Sequence, residues 1–169
     1  LKAKSRPVPR WKNRVERRAL SSWLWLRKRI IIPAKVTTPL QQRLQELRDA
    51  LLELHKALVQ MERASYENTF GSIQSPYEFL RLLTGDPWFA WLRPMSQLIV
   101  AMDEATGGKE PLTDPAVEAF VNQTRLLLVA SEGGEENSRH YFEALQRDPD
   151  VVLAHAEVAK LLVPRRPSV

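Results

Sequence analysis

Cysteine is absent from all 169 residues, which excludes disulfides, thiolate metal sites, iron–sulfur clusters and cysteine nucleophiles together. A reducing compartment fits this composition, and the expected location is the cytoplasm. Long apolar runs are also missing. The most apolar stretch, Trp88 to Met102, is broken by Arg93, Pro94 and Gln97, and falls short of the roughly 20 residues a spanning helix needs. Near the N-terminus the apolar pieces Trp23–Leu26 and Ile30–Pro33 are split by Arg27-Lys28-Arg29, a poor core for a signal peptide. Histidine is scarce, with only His55, His140 and His155. Acid is nearly absent from residues 1–35, where Glu16 stands alone.

That last absence exposes a charge split. Residues 1–35 hold twelve Lys/Arg and carry a net +11, whereas residues 36–169 carry −6, so the overall +5 misrepresents the body of the chain. The basic balance is therefore no argument that the folded part binds nucleic acid. Trp11, Trp23 and Trp25, interleaved with Arg and Lys, suit nucleic-acid stacking or an anionic membrane surface if residues 1–35 belong to the native protein. The segment lacks periodicity and helix caps, is interrupted by Pro7, Pro9 and Pro33, and precedes the first methionine, Met61. It is read as a disordered basic extension or as a start assigned too early, with Val36 as an alternative beginning; an organellar leader is a further alternative. Residues 36–163 are expected to form one domain, followed by a basic tail at 164–169.

Within that domain a small oxygen-bearing residue precedes proline at Thr38-Pro39, Ser75-Pro76, Asp86-Pro87, Asp114-Pro115 and Asp148-Pro149. Each pair supplies a side-chain acceptor at a helix N-cap and a proline at the first turn, where its missing N–H costs nothing. Thr38 with Gln41 and Ser75 with Glu78 extend toward capping boxes. Gly71, Gly85, Gly107-Gly108 and Gly133-Gly134 follow periodic segments as stops. The expected fold is all-α, an irregular bundle of five or six helices around one long N-terminal amphipathic helix. That helix, from about Pro39 to Asn68, carries Leu40, Leu44, Leu47, Leu51, Leu54, Leu58 and Met61 at alternating steps of four and three. Ala50, Ala57 and Ala64 flank this seam and permit close approach of another helix.

Further helices are expected over about Pro76–Leu83, after Asp86 with a kink or restart at Pro94, over Pro115–Ser131, around Glu135–Arg147, and over Pro149–Leu162. Val117, Phe120, Val121, Thr124 and Leu128 form the inward face of the fourth. No strand-like alternation and no internal repeat interrupts this pattern.

Chemistry-bearing motifs are wanting. Gly107-Gly108-Lys109 lacks the earlier glycine and the hydroxyl residue of a phosphate loop, and no G-x-S-x-G, H-E-x-x-H or EF-hand pattern occurs. Glu136 with His140 and His155 with Glu157 miss the Glu-x-x-His spacing of a di-iron bundle, so neither a metal nor a cofactor is expected. The acidic run Glu132, Glu135 and Glu136 reads as a solvated loop and helix start. No catalytic residue is assigned, and a non-catalytic role is expected.

The densest aromatic cluster of the body is Trp88-Phe89-Ala90-Trp91-Leu92. Such aromatics wedge neighbouring elements together; the functional alternative is an interaction or ligand patch. On that alternative Trp88, Trp91 and the adjacent Arg93 form an interaction patch, or Trp88, Trp91, Met95 and Met102 line an apolar pocket. Residues 86–94 and 141–149 resemble stretches of small uncharacterised bacterial all-helical proteins, over about Thr38 to Leu162. The resemblance implies an all-helical fold and no particular activity. The leading functional expectation is a helical interaction or scaffold protein, self-associating or binding a protein partner. A small apolar-ligand-binding bundle is the alternative.

Overall fold

A computed structural model of the chain describes residues 38–108 and 110–163; the expectations for the basic segment and the C-terminal tail lie outside those residues. The Thr38 hydroxyl accepts from the Gln41 N–H and the Gln41 side chain accepts from the Thr38 N–H, completing the capping box that opens α1, Pro39–Phe70. Gly71 ends α1 at φ +96°, a conformation that glycine adopts without a Cβ penalty, and its N–H returns to the Glu67 carbonyl.

The next starts follow the same logic, with two adjustments. Ser75 caps α2, Pro76–Gly85, but the Glu78 carboxylate accepts from the Gln74 N–H instead of closing the box on Ser75. Asp86 caps a six-residue 3₁₀ segment, Pro87–Leu92, and α3 restarts at Arg93 and runs to Gly107. The kink expected at Pro94 is thus a change of helix type, with proline in the first turn of α3.

Helix α4, Asp114–Leu127, is capped by Thr113, one residue before the expected Asp114. The Thr113 hydroxyl reaches the Ala116 N–H, which moves Asp114 into the first turn, where its charge still suits the macrodipole. Helix α5 spans Glu136–Arg147 and α6 spans Pro149–Leu162, the latter capped by Asp148. The described residues form six α-helices and one 3₁₀ segment, with no strand: an all-α fold.

Helix α1 is the axis. Leu44, Leu51, Leu54 and Leu58 are fully buried and Leu47 nearly so, and they pack with Phe89, Leu92, Met102, Val121, Tyr141, Ala144, Val151 and Val158 in one core. Its most extensive partners are α6 and α3; α4 packs on α3 and α1, and α2 on the 3₁₀ segment. Val117, Val121, Thr124 and Leu128 of the α4 face are buried and Phe120 is half-buried. An Arg43–Glu118 ion pair of 2.7 Å links α1 to α4, and the Arg125 guanidinium donates to the Leu162 carbonyl at the end of α6.

Helix α5 is placed differently. It packs chiefly on α6 and the 3₁₀ segment, and a gap is left between it and the C-terminal half of α1. No helix among the described residues is long and apolar enough to cross a membrane.

Candidate functional site

The gap is a cavity of about 590 Å³ lined largely by polar and charged side chains. Its α1 wall consists of Glu62, Ser65, Asn68 and Thr69, its α5 wall of Glu136, His140, Glu143 and Arg147, and Pro87 and Trp88 close it from the 3₁₀ segment. Both walls follow from helix geometry. Met61 carries the leucine seam on beyond Leu58, and Glu62, four residues after Leu58, begins a neighbouring stripe that Ser65 and Thr69 continue, so this edge of α1 turns polar in its last turns. Glu136, His140, Glu143 and Arg147 repeat a four-three-four spacing and lie along one face of α5. Tyr141 and Ala144 of the same helix are buried in the core and hold that face in place.

Glu62 is the centre of the arrangement. It is only 6% exposed, and its Oε2 accepts a 2.7 Å hydrogen bond from the Trp88 indole N–H. Its Oε1 makes no hydrogen bond among the described residues. Burial raises the carboxyl above its ordinary value, since desolvation penalises the anion; the Trp88 N–H, then Arg147 and His140, oppose the shift and do not cancel it. The Trp91 indole N–H also faces Glu62, outside hydrogen-bond geometry; it favours the anion weakly and has no partner of its own among the described residues. The Trp91 ring stacks on His140, with centroids 5.5 Å apart and planes 13° from parallel. Arg147 crosses the cavity to donate a 2.7 Å hydrogen bond to the Ser65 hydroxyl. His140 lies 4.0 Å from Glu136.

The aromatic residues behind Trp88 stiffen this wall. Trp88 meets Tyr66 and Phe70 edge-on at 5.9 and 5.6 Å, and Tyr66 also contacts Phe89. A carboxyl oxygen held by a clamped indole N–H is a preorganised group, because little motion remains to be lost when a ligand arrives.

Of the residues singled out from sequence, Trp88 lines the cavity and Trp91 stands beside it, stacked on a lining residue. Arg93 turns back to donate to the Asp86 carbonyl at 3.0 Å. Met95 and Met102 are buried in the core and line no part of the cavity. Met95 and Met102 are thus not brought together with Trp88 around this cavity. Glu62 and Arg147 were not singled out by sequence, although a polar stripe beside an apolar seam is a readable signal for the former.

The remaining histidines are structural. Nε2 of His55 pairs with the Ser96 hydroxyl at 2.8 Å between α1 and α3, and burial pulls its ring below the usual imidazole value. Nδ1 of His155 pairs with the Tyr141 hydroxyl at 2.7 Å, and burial pushes that phenol up. No group of three or more His, Asp or Glu side chains is placed to hold a metal among the described residues.

A second concavity differs in character. Pro94, Leu98, Ala101, Leu126 and Leu127, with Gln97 and Gln123, form an open, largely apolar trough of about 400 Å³ between α3 and α4. Leu126 on its edge is 74% exposed.

Comparisons of the chain with protein-family models, with curated proteins and with solved structures find no match.

Proposed function

We propose that this chain is a non-catalytic helical binding protein, and that its recognition site is the polar cavity between α1 and α5. The observation that supports this most is Glu62: a nearly buried carboxyl, clamped by Trp88 and lining a cavity, one of whose oxygens accepts no hydrogen bond among the described residues. Burying such a group lowers stability unless something else is gained, and binding a polar ligand is a direct gain. A binding role fits better than catalysis, because the walls offer hydrogen-bonding and charged groups without a nucleophile paired to a base. The reading replaces an apolar ligand by a polar one, since the residues around Trp88 are mostly charged or hydroxylated. It keeps a cytoplasmic bacterial setting as part of the proposal, to be tested by fractionating the native cell.

The test is a thermal-shift screen of small polar molecules against the wild type and against Ser65→Leu, which projects an apolar side chain into the cavity. Molecules that raise the melting temperature of the wild type and leave Ser65→Leu unmoved support the proposal. Equal shifts in both proteins, or none in either, remove it.

A second reading is self-association through the apolar trough. Exposed Leu126 beside Leu98, Ala101 and Leu127 supports it, because contiguous apolar surface on a helix pair favours burial against another apolar face. Light scattering across a concentration series tests it. A mass that rises with concentration in the wild type and stays monomeric in Leu126→Glu is expected; a wild-type monomer at all concentrations dismisses it.

A further inference from the structure

Charge and hydrogen-bonding capacity in the α1/α5 cavity narrow the class of ligand. Glu62, Glu136 and Glu143 place three carboxyl groups on its walls against a single guanidinium, Arg147. That guanidinium is already committed in part to the Ser65 hydroxyl. Two groups beside the cavity lack a hydrogen-bond partner among the described residues: the acceptor Glu62 Oε1, in a side chain 6% exposed, and the Trp91 indole N–H that faces Glu62. An anion brought here would meet the nearly buried Glu62 carboxyl in a partly desolvated space, where like charges repel more strongly than in water; Glu136 and Glu143 are exposed and add less. A cation with N–H donors would meet the reverse.

We infer that the ligand is a small organic amine, bound as its ammonium ion with one N–H donated to Glu62 Oε1 and its positive charge balanced by Glu62, Glu136 and Glu143. This rests on the reading of the cavity as the recognition site and adds the chemistry of the occupant. The polar side chains of Ser65, Asn68 and Thr69 supply acceptors for the remaining N–H groups. The titratable and charged groups that face the site come from both helices: Glu62 from α1, and Glu136, His140, Glu143 and Arg147 from α5. Burial raises Glu62 toward its neutral form, and an ammonium beside it draws the proton off again, so binding is coupled to proton release when the pH is near that raised value.

Isothermal titration calorimetry at neutral pH with putrescine, butanediol and succinate separates the classes, because the three share a four-carbon length and differ in charge. Putrescine is expected to bind, with butanediol and succinate at least about ten times weaker, as charge-assisted hydrogen bonds to a buried acceptor require. Glu62→Gln preserves the acceptor for the Trp88 N–H and removes the charge, and is expected to weaken putrescine about tenfold or more; circular dichroism checks that the variant is folded. Glu143→Gln, farther from the Trp88 clamp, is expected to have a smaller effect. Unchanged putrescine affinity in Glu62→Gln overturns the inference. Preferential binding of butanediol or succinate, lost in Ser65→Leu, overturns the amine while leaving the cavity as a site. Binding of no probe, or binding indifferent to Ser65→Leu, removes both.

Discussion

Glu62 is held in a place that costs the fold stability at neutral pH. Its carboxyl titrates above the ordinary value, so between that value and the raised one the native state holds more protons than the unfolded state. Stability therefore falls as pH rises through this window, and the cost is fully present above it. Glu62→Gln is expected to melt higher than the wild type at pH 7, with the gap closing as the pH is lowered to the ordinary carboxylate range; differential scanning calorimetry across pH checks this. The same variant is expected to bind less, a trade of function for stability at one residue. His55 is the contrasting case, a half-buried polar group whose partner lies within the fold. Ser96→Ala removes the partner of its Nε2 and is expected to cost about 1 kcal/mol in chemical denaturation. The importance of Glu62 was partly legible, since it continues the Leu54–Leu58 stripe as a polar residue. Its Trp88 partner lies 26 positions away, and no local pattern links the two.

Helix starts were the most legible elements, because a cap is a local event. Thr38, Ser75, Asp86 and Asp148 each accept from the backbone two or three residues on, as side-chain chemistry before proline dictates. Thr113 displaced Asp114 because two good capping residues stand side by side and the structure uses the earlier one. The 3₁₀ character of Pro87–Leu92 was not legible, since it depends on how Phe89 and Leu92 reach the core between two tightly joined helices. Thr38→Ala is expected to cost about 1 kcal/mol, since both halves of its capping box are present. Gly71→Ala is expected to destabilise by about 1 kcal/mol through its positive φ, with no steric clash, since open space surrounds the site.

For the molecule as a whole, the leucine seam of α1 organises everything else. Leu51→Ala or Leu54→Ala, each emptying a fully buried site, is expected to cost about 2–5 kcal/mol in denaturant unfolding. The seam, the helix count and the all-α class follow from periodicity and caps. The cavity does not, because it arises from α5 standing on α6 and the 3₁₀ segment instead of lying against α1. Its two polar stripes are each visible in sequence, but only the tertiary arrangement turns them toward each other. The central claim is that small polar molecules enter between them, and the indole N–H of Trp88 reports it most directly. Its nitrogen–proton NMR resonance, identified by its loss in Trp88→Phe, would be followed during titration with a panel of small polar molecules that includes putrescine. A saturable shift of that resonance in the wild type, absent in Ser65→Leu, is the expected result. A Trp88 resonance that stays fixed across the panel would contradict the account.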